Sequence, residues 1–141
     1  MIPTLSRLKL ATRAMTMTNK KQLPLFYAIC PDYDTNPSET LQRRLKVRPE
    51  HWRRAEEDKK EGVLEFGRGT VPPPSHPLHS DPNLPSNLQA MNGSIMFFRF
   101  KSTSEVWNRL KEDVYYTGDV WDKDKIQVGE FIKLPGEGEE A

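Results

Sequence analysis

Apolar residues recur with a period of two in some stretches of the chain and at helical spacing in others. From Leu23 to Cys30, Leu25, Tyr27 and Ile29 alternate with Phe26, Ala28 and Cys30, which predicts a first strand covered on both faces. Pro31-Asp32-Tyr33-Asp34 and Asn36-Pro37 end it in turn chemistry. Ser38 is positioned to cap a short helical turn through Leu41 and Leu45. Pro49 suits the first position of a longer helix, where its missing N–H costs nothing, and Gly62 follows Glu61 as a stop. Arg48, His51, Trp52 and Ala55 would share the inward side of that helix, opposite Arg53, Arg54, Glu57 and Lys60. Val63 to Gly67 reads as a second strand, whose Gly67 and Gly69 allow close approach at its end. Gly93 to Phe100 is the clearest strand in the chain. Ser102-Thr103-Ser104-Glu105 is a capping box opening a helix to about Asp113, with Val106, Leu110 and Val114 as its apolar stripe. Residues 115–122 show no period, and Ile126 to Leu134 is a last strand.

The order strand, helix, strand, strand, helix, strand, with right-handed crossovers, predicts an α+β, ferredoxin-like βαββαβ domain. It has one four-stranded antiparallel sheet with two helices on one face. In that topology the start of the first helix, the end of the second and the loop between the second and third strands lie at one end of the sheet. His51 and Asp113 therefore share an end with residues 70–92, which hold six prolines and form a loop insertion. The far face of the sheet is apolar in the first and third strands, at Phe97 or Phe98 for example. A homodimer packed through these open faces is the expected remedy.

Composition narrows the function. Residues 1–22 carry Arg7, Lys9, Arg13, Lys20 and Lys21 and no acid. The whole chain has 21 Lys and Arg against 20 Asp and Glu, so the rest is net −4. A mildly acidic body does not fit nucleic-acid binding, and no apolar run approaches the roughly 20 residues of a membrane span. The basic, hydroxyl-rich residues 1–22 have the composition of a mitochondrial transit peptide; they read equally as a disordered tail, with Met15 or Met17 as the start. The protein is thus expected in mitochondria or cytoplasm. Residues 23–134 form the domain and 135–141 an acidic tail. One cysteine, Cys30, excludes an internal disulfide and reads as inert strand packing. His76-x-x-His79-x-Asp81 has metal-like spacing without a fourth ligand. No phosphate loop, dinucleotide fingerprint or nucleophile elbow is present, so neither metal nor cofactor is expected.

The candidate chemistry is a His51–Asp113 pair. An imidazole with an ordinary pKa of about 6.5 exchanges protons near neutrality. At a first helical turn, the dipole would keep it in the basic form. A carboxylate on one ring nitrogen would fix the tautomer and leave the other for a substrate. Arg48, one turn earlier, could hold a substrate carboxylate, with Tyr115 or Tyr116 and Ser94 as further substrate contacts. The competing structural account makes His51 a satisfied core residue and pairs Asp113 with Arg48.

These residues resemble the YCII-related family of the dimeric α+β barrel group over about residues 23–134. The likeness rests on Arg48-Pro49-x-His51 after Arg44-Leu45, Gly62-Val63-Leu64 leading to the Gly67 turn, Gly93-Ser94, and Asp113-Val114-Tyr115. The resemblance implies that His51 and Asp113 form an active-site pair, in a group that includes muconolactone isomerase-like enzymes and a dehydrochlorinase. The chain departs from the family in having Val114 in place of a proline, Asp119 in place of a glycine, and a longer 70–92 loop. The expectation is an acid/base isomerase, lyase or dehydrochlorinase-like enzyme for a small organic molecule. A non-catalytic ligand-binding or dimerisation module is the alternative.

Overall fold

The computed structural model describes residues 20–136. Strands β1 (Leu25–Pro31), β2 (Leu64–Thr70), β3 (Gly93–Arg99) and β4 (Gln127–Glu130) alternate with helices α1 (Pro37–Lys60), α2 (Thr103–Glu112) and the single turn α3 (Val114–Thr117). The sheet order is β2-β3-β1-β4 with every neighbouring pair antiparallel, the ferredoxin-like arrangement. The transit-peptide and acidic-tail readings fall mostly on residues 1–19 and 137–141, outside the described part. Among the described residues, no helix is long and apolar enough to cross a membrane.

The sheet is two-faced. Phe26, Ala28 and Cys30 of β1 and Met96 and Phe98 of β3 are buried and meet Val106, Leu110, Tyr115 and Trp121 in the main core. The alternate residues turn to the other face. There Tyr27, Phe66, Phe97 and Phe131 form a chain of ring contacts at 5.0–5.4 Å. A bulge between Leu64 and Phe66 sets Phe66 beside Phe97. A one-residue shift flips side chains to the opposite face, so the bulge adds an aromatic to the open face.

Several boundaries differ from the expectation. The first helix is not a turn followed by a longer helix but one continuous 24-residue α1. Asn36, not Ser38, is its cap, accepting the Glu39 N–H at 3.3 Å, and Pro37 occupies the opening turn. Pro49 lies inside, where it removes the bond to the Leu45 carbonyl. Side chains are buried on both sides of that gap, Thr40, Leu41 and Arg44 before it and Asp58 after it, so both halves of the helix are held against the domain. Residues 115–122 are not irregular throughout, since Val114–Thr117 is helical and Trp121 bridges Asp32. β4 stops at Glu130, well short of Leu134, and Ile132 beyond it is 84% exposed. Asp119 has φ 56°, in the left-handed region where glycine is favoured and aspartate is among the few others tolerated.

The proline-rich loop is anchored rather than free. Leu78 and Ala90 pack with Leu41 of α1 in a second apolar cluster, joined by Leu45, Leu84 and Met91. A short 3-10 turn at Pro77–Ser80 contains His79 and is capped by His76, and both histidines serve the loop itself. His76 Nδ1 accepts the Leu78 N–H, and His79 Nε2 lies 3.0 Å from the Pro72 carbonyl. The metal-like spacing therefore does not bring these side chains together on a common point.

Candidate functional site

A cavity of about 540 Å³ lies between α1, the β2–β3 end of the sheet and the 70–92 loop. Arg44, Arg48, His51, Trp52 and Ala55 line it from α1, and Gly67, Gly69, Ser94 and Met96 from the strands. Asn87, Leu88 and Gln89 roof it from the loop.

The structure brings His51 and Asp113 together. His51 Nδ1 lies 2.8 and 3.0 Å from the two Asp113 oxygens. Asp113 is 2% exposed, and its carboxylate also accepts from Arg109 Nη1 at 3.0 Å and from the Tyr115 N–H at 2.8 Å. Burial works to raise the carboxyl pKa. The His51 hydrogen bond and charge, the Arg109 charge and the Tyr115 N–H outweigh it and leave the group below the usual carboxylate range. Ionised Asp113 offers no proton, so Nδ1 of His51 carries the hydrogen of their bond. In the neutral ring Nε2 is then the basic nitrogen. The imidazole separates a small crevice at the Asp113 side from the large cavity.

The route to this contact differs from the sequence reasoning. His51 sits in the middle of α1, so the positive end of the helix dipole does not act on it. Asp113 is not exposed to an unfavourable helix end either. It terminates α2 and caps the start of α3, so its charge meets N–H groups there.

The remaining expected residues divide. Tyr115 is buried, with its ring stacked on His51 at 3.9 Å and 16°. Arg48 lines the cavity with its guanidinium carbon 5.3 Å from the Trp52 ring, and it has no carboxylate partner among the described residues. Asp113 pairs with Arg109, so the expected Arg48–Asp113 alternative does not form. Ser94 is a support: its Oγ accepts from Arg44 Nη2 at 2.7 Å and from Trp121 Nε1 at 3.2 Å. Trp52, expected to face inward, is 58% exposed at the cavity rim. Cys30 is buried; burial first, then the Asp113 and Asp32 charges, push its thiol pKa up and keep it protonated.

Two buried ion pairs had no sequence signal beyond the presence of charged residues. Arg44 clasps Asp32 through Nε and Nη2 at 2.8 and 2.9 Å. Burial raises the Asp32 carboxyl pKa against the pull of Arg44, while the same bonds, opposing burial, raise that of Arg44. The forked geometry is that of an ionised pair. Arg109 Nε donates to Asp58 at 2.6 Å, and Asp58 accepts from Arg54 at 3.2 Å. Asp113 thus ends a chain of alternating charges running out to Glu112 on the surface.

Fold and site define an α+β protein of the ferredoxin-like barrel kind with a cavity of mixed polar and apolar lining at one end of the sheet. Its architecture is that of the dehydrochlorinase TftG from Burkholderia phenoliruptrix, solved with 2,5-dihydroxybenzoquinone. The TM-score is 0.59 at 17% identity, covering 80% of this chain and 98% of the other. In sequence, the chain is 32% identical over 92 residues to aspercryptin biosynthesis cluster protein B of Emericella nidulans. The match takes in 65% of this chain and 54% of the relative, so the chain spans about half the length of that relative. No family model matches the chain.

Proposed function

We propose that the cavity is the active site of an acid/base enzyme that moves a proton on a small organic molecule, in an isomerisation or elimination. His51 is the general base through Nε2. Asp113 holds its tautomer and orientation, and Arg48 binds an anionic group of the substrate. The observation that carries this reading is the His51–Asp113 contact: a buried, ionised carboxylate fixes Nδ1 while the ring borders a cavity of small-molecule size. TftG is a dehydrochlorinase and the other relative belongs to a biosynthesis cluster, and both support a small-molecule-processing enzyme.

Hydroxyquinones and small carbonyl compounds, screened for deuterium uptake or halide release, test the assignment. Wild-type protein is expected to turn over at least one member. His51→Ala is expected to lose about a thousandfold in kcat, within the range for a positioned base, and Asp113→Asn a smaller factor. Unchanged rates in both variants would end the proposal. A ligand that binds without turnover, with His51→Ala changing affinity alone, would establish a binding module instead.

The aromatic open face supports a homodimer with sheets packed face to face, since a second copy would cover Tyr27, Phe66, Phe97 and Phe131 together. Light scattering is expected to report a dimer and Phe97→Lys a monomer; wild-type monomer at micromolar concentration refutes it. The composition of residues 1–22 supports action in mitochondria, with the cytoplasm as the alternative, and imaging of the tagged full chain decides between them.

A further inference from the structure

Arg44 is only 2% exposed, yet its hydrogen bonds use only two of its three nitrogens. Nε and Nη2 are held by Asp32 and Ser94, which leave Nη1 unused. The Tyr115 hydroxyl interacts with the Arg44 guanidinium, and His51 Nε2 has no hydrogen-bond partner among the described residues. Among the described residues, no side-chain nitrogen or oxygen is both sealed off and unpartnered. His51 Nε2 therefore opens onto accessible space, and all three residues line the same cavity.

Their spacing is set by one ring. The imidazole centre of His51 is 3.9 Å and the guanidinium carbon of Arg44 4.4 Å from the centre of the Tyr115 ring. Base and cation are thus no farther apart, centre to centre, than those two distances together, and the Tyr115 hydroxyl belongs to the ring that both contact. Opposite Nη1 the chain has Gly69. A methyl group built there would sit 3.7 Å from Nη1 and 3.5 Å from Met91 Sδ, in ordinary contact with both. The glycine keeps open the approach to the one free edge of a fixed guanidinium.

We propose that Arg44 Nη1, with the Tyr115 hydroxyl, is an oxyanion site, and that the substrate is a carbonyl compound whose α-proton His51 removes. This rests on the acid/base reading of His51 above. His51 Nε2 takes the proton from the α-carbon. The C–H electron pair becomes a C=C bond, and the C=O π pair moves onto oxygen, where Nη1 and the phenol hydrogen-bond the enolate. Where the substrate is β,γ-unsaturated the enolate is a dienolate, and the imidazolium returns the proton to its γ-carbon as C=O re-forms and the C=C bond moves to the α,β position. Alternatively, the enolate re-forms C=O and expels an anionic leaving group from the adjacent carbon. Arg44 is poised for this because Asp32 and Ser94 fix it beforehand, so no reorganisation accompanies the charge shift. Asp32 balances the Arg44 charge while leaving Nη1 free to donate.

The test is calorimetric binding of dimedone, a cyclic diketone that is largely an enolate at neutral pH, against neutral cyclohexanone. Wild-type protein is expected to bind dimedone with an affinity that tracks its deprotonation and to bind cyclohexanone at least tenfold more weakly. A hydrogen bond to a charged group is worth about 1.5–3 kcal/mol, so Arg44→Met and Tyr115→Phe are each expected to weaken dimedone by about tenfold or more. Because Arg44→Met disrupts a buried ion pair, Gly69→Ala is the second variant. It fills the approach without touching that pair, and it should lose affinity while keeping the wild-type melting temperature. Absent dimedone binding, equal affinity for the two ketones, or wild-type affinity in Gly69→Ala overturns the oxyanion site. His51→Ala separates the two proposals: dimedone should still bind it. If proton exchange also survived in that variant, the acid/base reading would fail and the oxyanion site would stand.

Discussion

Replacing His51 by alanine separates what its imidazole does for the fold from what it does for a ligand. The ring contributes one hydrogen bond to Asp113 and a stack on Tyr115. A bond to a charged group is worth about 1.5–3 kcal/mol and a stacked pair about 0.5–1.5 kcal/mol. The low ends apply, because Arg109 and the Tyr115 N–H still serve the carboxylate after the imidazole is gone. A loss of about 2 kcal/mol is expected. Asp113→Ala does more damage. It strands His51 and leaves Arg109 with Asp58 alone, and breaking a buried pair costs about 3–5 kcal/mol. It also removes the α3 cap, worth about 1 kcal/mol. Since these terms overlap, about 4 kcal/mol is expected, a large share of the roughly 5–15 kcal/mol that stabilises a domain. Urea unfolding of both variants at neutral pH, with the slope checked for constancy, measures the difference. If His51→Ala cost as much as Asp113→Ala, the imidazole rather than Arg109 would be holding the buried charge. If ligand binding were then also unchanged, His51 would be a structural residue.

Other expectations follow from the same geometry. Asp113 has a folded pKa below its unfolded one. Its stabilisation is complete above about pH 4 and lost as pH falls through the depressed folded value. Asp113→Asn should therefore flatten the acid limb of the melting-temperature profile. Pro49→Ala restores a backbone N–H inside α1 and should raise stability by about 1–3 kcal/mol in thermal unfolding; a decrease would mean that the proline conformation is required there. Leu78→Ala, deep in the loop–helix cluster, should cost about 3 kcal/mol and speed hydrogen exchange across residues 70–92. Trp52→Ala at the rim should change stability by less than about 0.5 kcal/mol; a larger loss would show that the indole packs more tightly than its exposure implies.

The element order was legible because strand alternation and the Ser102–Glu105 capping box are local signals. The structure retains both, with Ser102 accepting the Glu105 N–H. The length of α1 was not legible: a mid-chain proline reads as a boundary, and the packing that overrides it, of Thr40, Leu41 and Arg44 on one side and Asp58 on the other, is tertiary. His51 and Asp113 were placed at a common end by topology alone, from a helix start that does not exist. They meet all the same because the second half of α1 runs antiparallel beside α2, with His51 at Asp113, Arg54 at Glu112 and Asp58 at Arg109. Arg44 and Arg109 escaped notice because an arginine in sequence looks solvated. Their carboxylate partners Asp32 and Asp58 lie 12 and 51 positions away, a relation no periodicity encodes.

The loop anchor has a consequence for substitutions around the cavity. Leu78 and Ala90 fasten residues 70–92 to α1 through their own apolar cluster, apart from the core that seats His51, Asp113 and Tyr115. The roof residues Asn87, Leu88 and Gln89 hang from that separate fastening. Substitutions in the roof would leave the fastening, His51 and Asp113 in register. The cavity's roof and the His51–Asp113 contact are thus fastened by separate apolar clusters, so the roof side chains can be exchanged without moving that contact.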